Sequence, residues 1–361
     1  MNRLARRIAR LIEAAGPISI ADYMELCLLD PQDGYYTTHD PFGAEGDFVT
    51  APEISQMFGE LVGAWLVGEW RAIGRPMPVT IAEIGPGRGT MMKDIIRTVG
   101  KLEPTLHAGA RFALVEASPR LADVQRTTLS DTGVSLCWHG SVDELPAMPL
   151  LVAGNEIFDA LPFQQFALAG GRWRERSVGL DDEGHFRVVL GLASLAADTL
   201  PHEAGNAAEG SIFEIAPTRA RLMAQIATQL ITHGGAGIFF DYGHLRPGLG
   251  DTFQAVRKHT SEGIFDKPGE ADLTSHVDFS ALAAVAQAAG LDVHLSTQAE
   301  FLLASGLLER AGQLGASASE VVRARISAEV ERLAGPDAMG ELFKVLRIGT
   351  ARAPEDFVEA F

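Results

Sequence analysis

Cysteine, basic residues and long apolar runs are all scarce in this sequence. Its 361 residues contain two cysteines, Cys27 and Cys137, which excludes a disulfide framework or a zinc site of the usual spacing. Thirty Lys and Arg stand against 47 Asp and Glu, a formal net charge of -17, which argues against a nucleic-acid partner. Roughly 18 apolar residues in a row would be needed to cross a bilayer, and no such run exists. These scarcities favour a protein of a reducing compartment without a membrane span.

The N-terminal segment, residues 1–16, alternates arginines with apolar residues at helical spacing. Organellar targeting peptides share this pattern, but Glu13 and the lack of a serine-rich stretch favour an ordinary first helix that ends at Gly16. We therefore expect a cytoplasmic protein for a bacterial-type chain, and a mitochondrial matrix protein for a eukaryotic source.

Short β-branched runs alternate with amphipathic stretches from residue 79 onward. This alternation predicts a parallel sheet with helices on both faces. The predicted strands cover residues 79–85, 111–117, 134–140, 149–156 and 235–243, and helices are predicted to begin near Thr90, Pro119 and Pro217. We expect residues 1–75 to form an N-terminal helical segment with a loop, and residues 76–361 to form the main α/β domain. That domain is predicted to carry a β-hairpin insertion at about 163–210 and a helical insertion at about 298–340.

A glycine loop, "IAEIGPGRGT", follows the first predicted strand of the main domain. Gly85, Gly87 and Gly89 let the backbone approach a ligand closely, and the helix that starts at Thr90 offers free amides. Thr90 stands where the nicotinamide fingerprint has its third glycine, so that interpretation is weakened. Glu83 suits a ligand that carries an ammonium group. S-adenosylmethionine has both an ammonium and a sulfonium, so this sequence favours it as the cofactor, with S-adenosylhomocysteine as the product.

Acidic and small residues follow the next two predicted strands. Glu116, with Ala117 after it, ends the second strand, where an acid can accept hydrogen bonds from both ribose hydroxyls. Ser141 and Val142 follow the third strand, and we predict that they lie beside an adenine ring. The alternative is a tight turn with two incidental acids, but the order of glycines, acids and Ser-Val favours the cofactor site.

The fourth and fifth predicted strands end in "GNEIFDALP" and "DYGH". In open α/β sheets the ligand crevice lies beyond the carboxyl ends of the strands. Asn155 is expected beside the cofactor, and Glu156 and Asp159 are expected to grip a cationic acceptor such as a guanidinium. Such carboxylates can also take up the proton released on transfer. The alternative is that Glu156 and Asp159 cap the following turn. The remaining candidates to line the acceptor pocket are Asp241, Tyr242 and His244.

Several motifs together resemble the MidA family of class I S-adenosylmethionine-dependent methyltransferases. They are "YYTTHDPFGAEGDFVTAPEISQMFGE", "IAEIGPGRGT", "GNEIFDALP", "FFDYGH" and "DLTSHVDF". The resemblance implies a Rossmann-like, mostly parallel seven-stranded sheet whose last two strands form an antiparallel hairpin. It also implies that the stretch from Gly46 to Ser55 closes over the pocket. Its candidate contacts are Asp47, Phe48, Thr50, Glu53 and Ser55.

Two features limit what the resemblance implies. The stretch "GDTFQAVRKH" departs from the family pattern, which leaves Lys258 and His259 without an implied role. His39, His244 and His276 are widely separated and lack a clustered acid-histidine spacing, so no metal site is predicted.

The family resemblance implies a protein-arginine methyltransferase. Mitochondrial members symmetrically dimethylate an arginine of a respiratory complex I subunit during assembly, so the expected partner is a protein that carries an arginine, such as a complex I subunit. Three alternatives stay open: a methyltransferase for a small molecule or another side chain, an assembly chaperone that keeps a cofactor site without catalysis, and a nucleotide-dependent oxidoreductase. The sequence predicts no oligomeric state.

Overall fold

Eight strands form the largest sheet in a computed structural model of the protein, and seven of them pair in one continuous order. The structure describes residues 1–38, 49–195, 200, 202–257 and 260–350. The helices of that part are α1 (Arg3–Ala15), α2 (Ile20–Leu29), α3 (Tyr35–Thr38), α4 (Ala51–Ile54), α5 (Gln56–Ala72), α6 (Thr90–Leu102), α7 (Pro104–Gly109), α8 (Pro119–Thr128), α9 (Pro217–His233), α10 (Phe279–Ala288), α11 (Gln298–Ala304), α12 (Leu307–Gly315), α13 (Glu320–Ala334) and α14 (Met339–Leu342).

The strands of the described residues are numbered along the chain in the same way. They are β1 (Ile18–Ser19), β2 (Thr80–Ile84), β3 (Arg111–Val115), β4 (Leu136–His139), β5 (Leu150–Asn155), β6 (Gln164–Ala169), β7 (Arg172–Leu180), β8 (Phe186–Ser194), β9 (Ile212–Ile215), β10 (Gly235–His244), β11 (Gln254–Arg257), β12 (Thr260–Glu262), β13 (Asp272–Thr274), β14 (Val277–Asp278), β15 (Asp292–Thr297) and β16 (Phe343–Gly349).

The strand order of the largest sheet is β15-β16-β10-β5-β2-β3-β4. Strands β10, β5, β2, β3 and β4 run parallel to one another. Strand β16 is antiparallel to both β10 and β15. The predicted mostly parallel sheet, whose last two strands form an antiparallel pair, is therefore confirmed, and one further short strand brings the predicted seven strands to eight. Because the chain order reverses between β2 and β5, the carboxyl ends of these two strands form the switch point where such sheets bind ligands.

The described residues divide into two compact units, which interleave along the chain. The unit with the largest sheet, here the sheet unit, takes described residues from Val49–Ile157, Leu222–Leu245 and Phe279–Phe361. The second unit takes described residues from Met1–Phe48, Phe158–Arg221 and Arg246–Asp278. The domain division predicted from the sequence, residues 1–75 and 76–361, follows the chain because periodicity carries no information on which distant segments pack together, and it stays a prediction.

The core of the sheet unit forms where α5 and α6 pack on the sheet. Phe58 and Phe240, both fully buried, meet edge to face with ring centroids 4.8 Å apart. Gly59 lets the two helices approach, because a Cβ there would lie 2.7 Å from the Cβ of Asp94. This packing fixes α6, whose first residue follows the glycine loop.

The second unit has a core of its own beneath α1 and α2. It is built from buried apolar residues such as Leu4, Ile8, Tyr23 and Val178. Its sheet has the order β1-β7-β6-β9, and β8 also pairs with β7. A small separate sheet consists of β11, β12 and β13. The predicted hairpin excursion corresponds to β6–β8. The small sheet has no counterpart in the prediction, because strands of three or four mixed residues give no clear period-2 pattern.

Candidate active site

The glycine loop at the end of β2 adopts a backbone that few other residues tolerate. Gly85, Gly87 and Gly89 have φ angles of 61°, 52° and 85°. A Cβ on Gly85 would lie 2.7 Å from Cγ2 of Ile157, so this position lacks room as well as a favourable φ. Gly89 directly precedes α6, which begins at Thr90 as predicted. The loop is therefore a close-approach cradle at the N-terminus of a helix, where free amides favour a ligand with acceptor groups.

Glu83 lies in β2 directly before this loop and is 3% exposed. Burial raises its pKa well above the ordinary value, the backbone N–H of Met92 opposes this by donating to it, and Asp94 adds to the rise. Its Oε2 atom is buried and has no hydrogen-bond partner among the described residues. An unpaired buried carboxylate oxygen is costly, so it indicates a site for a donor that the ligand brings.

Glu116 follows β3 and its carboxylate is held by several donors. Oε1 accepts from the backbone N–H of Ser118 at 2.7 Å, and Oε2 accepts from Nε2 of Gln125 at 3.0 Å. Burial raises the pKa of Glu116, and hydrogen bonds from Ser118, Gln125 and the backbone of Ala117 partly offset the rise. Because an ionised carboxylate has about four lone-pair sites and these donors occupy about three of them, it keeps acceptor capacity for a ribose hydroxyl.

Ser141 and Val142 lie beyond the end of β4. Ser141 precedes a short 3₁₀ helix, Val142–Glu144, and the Val142 side chain is buried. The turn is held by Glu144, whose Oε2 accepts from the backbone N–H of Gly140 at 2.8 Å. This places both residues at the strand end where the sequence predicted them.

Asn155 is the last residue of β5, and Glu156 leaves the strand in a left-handed conformation. Nδ2 of Asn155 donates to Oε1 of Glu156 at 2.9 Å, while Oδ1 of Asn155 is buried without a hydrogen-bond partner in the described part of the chain. The φ angle of Glu156 is 53°, which is rare for a residue with a side chain and costs on the order of 1–3 kcal/mol. Such strain persists at positions where the surroundings hold it, and it clusters at functional sites.

Ile157 and Phe240 hold Glu156 in this conformation. The side chain of Ile157 packs over Gly85 and Gly154, at 2.7 and 2.8 Å from where their Cβ atoms would lie. The backbone N–H of Glu156 donates to the carbonyl of Phe240 at 2.8 Å. The turn after β5 is therefore closed on both sides, and Glu156 cannot relax without losing these contacts.

Asp241, Tyr242 and His244 form the last part of β10, which extends one residue beyond the predicted strand 235–243. The strand extends to His244 because β16 pairs with it as far as Tyr242, opposite Phe343. Asp241 is fully buried, and its Oδ1 accepts from the backbone N–H of Tyr242 at 3.0 Å. Because Phe240 lies opposite Asn155, Asp241 comes one residue beyond the end of β5.

Helix α4 contains Glu53, and Thr50 and Ser55, two more of the residues predicted to close the pocket, flank it at its two ends. The hydroxyl of Thr90 donates to Oε1 of Glu53, which brings α4 to the start of α6. Ser55 donates to Oε2 of Glu329 in α13 at 2.7 Å, and Thr50 precedes α4 without a side-chain cap. The predicted contacts Asp47 and Phe48, together with His39, Lys258 and His259, lie outside the described residues.

Asp159 belongs to the second unit, whereas Glu156 belongs to the sheet unit. The Asp159 carbonyl accepts from Nη2 of Arg219 at 3.0 Å and from the backbone N–H of Ser275 at 3.3 Å. Arg219, which is 3% exposed, also donates to the Ser275 hydroxyl and to the His276 carbonyl. The backbone at Asp159 is thus fixed by a buried arginine.

Sequence reasoning missed Gln125 and Arg219. Gln125 is fully buried in α8 and contacts both the glycine loop and Glu116. A polar residue in an amphipathic helix carries no sign of such a role. Arg219 is the third residue of α9, and an arginine at such a position likewise gives no sequence signal of a structural role.

The residues present fit S-adenosylmethionine. The glycine cradle admits a close backbone contact, the orphaned Oε2 of Glu83 suits an ammonium, and Glu116 keeps acceptor capacity for a ribose hydroxyl. When bound, this cofactor supplies an electrophilic methyl group and its own leaving group. Within the described residues, no cluster of His, Cys, Asp and Glu forms a metal site. No helix in the same part of the chain is long and apolar enough to cross a membrane.

Comparisons with known proteins give the same cofactor. Residues 61–297 match the model of a family described as S-adenosyl-L-methionine-dependent methyltransferases. The chain is 34% identical over 373 residues to protein arginine methyltransferase NDUFAF7 of Danio rerio, covering 97% of this chain and 87% of the relative. The Homo sapiens protein of the same name is 31% identical over 365 residues, covering 94% and 82%. Both of these relatives are described as mitochondrial.

A solved structure extends the likeness to the whole fold. A COG1565 superfamily member from Burkholderia thailandensis, solved with S-adenosylhomocysteine bound, superimposes with a TM-score of 0.85 at 28% identity. The match covers 99% of this chain and 94% of the other. The predicted cofactor is therefore confirmed, and the chain belongs to this family of S-adenosyl-L-methionine-dependent methyltransferases.

Proposed function

We propose that this methyltransferase transfers its methyl group to an arginine side chain of a protein. The observation that carries the proposal is Glu156, a carboxylate kept in a left-handed backbone at the switch point of the sheet. Glycine would avoid the conformational cost there, so we infer that the side chain itself is needed. The relatives named protein arginine methyltransferase support an arginine as the acceptor.

A guanidinium needs help to become a nucleophile, because it stays protonated at any working pH. Glu156 would accept hydrogen bonds from two of its N–H groups and localise electron density on the nitrogen that attacks. As the new N–C bond forms, Glu156 would take up the proton that this nitrogen loses. Asn155 donates to Glu156 and would keep its carboxylate in one orientation.

Further residues are proposed to line the acceptor side. Asp159, three residues beyond Glu156 in the chain, would be the second carboxylate, and the grip of Arg219 on its backbone supports a fixed position. Glu53 and Ser55 would help to close the pocket, supported by their bonds to Thr90 and Glu329. The remaining proposed members are Asp47, Phe48, Thr50, Asp241, Tyr242 and His244.

We propose a subunit of respiratory complex I as the protein substrate, and symmetric dimethylation as the product. This rests on the motifs shared with the MidA family. The corresponding place of action is the cytoplasm of a bacterium or the mitochondrial matrix of a eukaryote. The mitochondrial relatives support the second location for a eukaryotic chain.

The test is to delete the gene in its host and to analyse complex I subunits by mass spectrometry. The proposal predicts that one dimethylated arginine disappears and returns with the wild-type protein but not with Glu156→Gln. If all arginine methylation persists without the protein, the arginine assignment is wrong. If the modification returns fully with Glu156→Gln, Glu156 is not the acceptor carboxylate.

A further inference from the structure

Gln125 makes three hydrogen bonds from a fully buried position in α8. Its Nε2 donates to the carbonyl of Gly87 at 2.9 Å and to Oε2 of Glu116 at 3.0 Å. Its Oε1 accepts from the indole Nε1 of Trp138 at 2.9 Å. One amide therefore joins the glycine loop after β2, the acid after β3 and a residue of β4.

Chemistry fixes the orientation of this amide. An indole N–H can only donate, so the group facing Trp138 must be the oxygen of Gln125. The two hydrogens of Nε2 then point at Gly87 and Glu116, which both present acceptors. Both amide hydrogens and the oxygen are used, and a flipped amide would place the Gln125 oxygen against two other acceptors.

The surroundings hold Gln125 rigidly. The guanidinium of Arg126 lies over one face of the Trp138 ring, 4.7 Å from its centroid, and restrains the indole. A Cβ on Gly89 would lie 3.7 Å from Cα of Gln125, so the glycine loop rests directly on α8. The other oxygen of Glu116 accepts from Ser118, the N-cap of the same helix. The glycine loop and the Glu116 carboxylate are thus both held by α8 and its N-cap.

We propose that Gln125 is a positioning residue that sets the glycine loop and the Glu116 carboxylate in the one mutual arrangement that accepts the ribose of the cofactor. Donation to Oε2 orients the carboxylate before the ligand arrives, so less ordering is needed on binding. Donation to Gly87 keeps that carbonyl turned towards α8. The proposal concerns the cofactor alone and does not depend on the nature of the methyl acceptor.

Isothermal titration calorimetry with S-adenosylhomocysteine tests the role without any turnover. Gln125→Met keeps the volume but removes both donors, and we expect binding weaker by about tenfold to a hundredfold. The 2′,3′-dideoxyribose analogue of S-adenosylhomocysteine cannot use an oriented Glu116. Gln125→Met should therefore weaken binding of the analogue by less than about threefold, because the binding energy lost in this variant comes from the ribose contact.

Gln298→Met is a matched control in the same unit. Gln298 is also fully buried, and its Nε2 donates to the carbonyl of Leu333 at 2.8 Å, but it contacts neither the glycine loop nor Glu116. This variant should lose stability yet bind S-adenosylhomocysteine as the wild type does. A second variant, Gln125→Glu, keeps the shape of the side chain and places a like charge against Glu116. It should bind more weakly than Gln125→Met.

Tryptophan indole signals in ¹⁵N NMR spectra give an independent readout of the ligand-free protein. The indole N–H of Trp138, assigned by its loss in Trp138→Phe, should exchange faster in Gln125→Met than in Gln298→Met. Two results would overturn the proposal. One is unchanged affinity of Gln125→Met for S-adenosylhomocysteine. The other is an equal loss for both ligands, which would make Gln125 a general structural residue.

Discussion

The ends of β2 and β5 lie side by side, yet they solve the same backbone problem differently. At the end of β2 the chain turns through Gly85, whose φ of 61° carries little cost for glycine. At the end of β5 the chain turns through Glu156 at a φ of 53°, where a side chain is kept against a conformational penalty. Ile157 packs against both turns and couples them.

The difference separates two kinds of requirement. At Gly85 the absence of a side chain makes room for Ile157 and permits the positive φ, so the turn requires a glycine backbone. At Glu156 a carboxylate is kept despite the backbone cost, and under our proposal this side chain is the functional group. The first turn serves the cofactor, and under our proposal the second serves the acceptor. Substitutions at Gly85 should then impair cofactor binding, whereas substitutions at Glu156 should impair methyl transfer.

The largest effect is expected for Glu156→Gln, measured as the rate of methyl transfer to protein arginine. Loss of the proposed proton acceptor should slow the reaction on the order of 10²- to 10⁴-fold. Affinity for S-adenosylhomocysteine should stay within about twofold, because the amide keeps the shape of the turn. Glu309→Gln, on the exposed face of α12, is the control and should keep full activity. A large loss of cofactor affinity in Glu156→Gln would erase the distinction between the two turns.

Gly85→Ala should fail in the opposite assay, the binding of S-adenosylhomocysteine. The new Cβ would meet Ile157 at 2.7 Å in an unfavourable φ, so we expect a loss of about 2–4 kcal/mol in the free energy of unfolding and little measurable binding. Gly133→Ala is the control, since Gly133 has a φ of 74° and open space around it. It should lose only about 1 kcal/mol and bind normally. Equal behaviour of the two variants would contradict the close-packed cradle.

Glu83 should make cofactor binding depend on pH. Burial raises its pKa well above the ordinary value, so at a pH below that raised pKa the ligand-free folded state holds a proton that an ammonium-bearing ligand displaces. Below the raised pKa, affinity for S-adenosylhomocysteine should therefore increase with pH, by at most about tenfold per unit. Calorimetry in buffers of different ionisation enthalpy would show the released proton.

Glu83→Gln should abolish this proton release and remove the part of the pH dependence of S-adenosylhomocysteine affinity that Glu83 causes. The sign for stability is the reverse of binding. An acid with a raised folded pKa favours folding at low pH, and its contribution is lost as the pH rises through the folded pKa. Glu83→Gln should thus stabilise the ligand-free protein at high pH and leave it little changed at low pH. Identical proton release in wild type and variant would rule out Glu83 as the source.

The smallest effect is a difference between Glu156→Gly and Glu156→Ala in chemical denaturation. At an ordinary position alanine is at least as stable as glycine. At a φ of 53° the order should invert, with the glycine variant more stable by about 1 kcal/mol. The usual order at this position would show that the left-handed turn carries no strain.

The glycine loop after β2, Glu83 within β2 and Glu116 after β3 were predictable because they follow local patterns. A strand, a glycine cluster and a helix start occupy consecutive residues, and the parallel topology then places Glu116 and Ser141 at the same edge. The left-handed turn at Glu156 was not predictable, because it depends on Ile157 packing over Gly85, some seventy residues earlier in the chain. Gln125 and Arg219 were missed for the same reason, since their partners come from distant segments.

Strand β10 shows which part of a sheet a local pattern predicts. The extent of the strand was predictable, since β10 ends one residue beyond the predicted range 235–243, but its antiparallel pairing with β16 joins distant segments. Segments such as β11 to β13 are too short and too polar for periodicity to reveal. Their pairing, for example Ala255 opposite Leu273, joins residues that a sequence pattern cannot connect.

The most direct test is methyl transfer in vitro with deuterated S-adenosylmethionine, using complex I subunits isolated from cells that lack this protein. Mass spectrometry would locate the deuterated methyl groups, with wild type and Glu156→Gln compared at saturating cofactor. The account predicts labelled dimethylarginine with the wild type and almost none with the variant, although both bind S-adenosylhomocysteine equally. Label on a different type of side chain, or equal arginine labelling by both proteins, would contradict it.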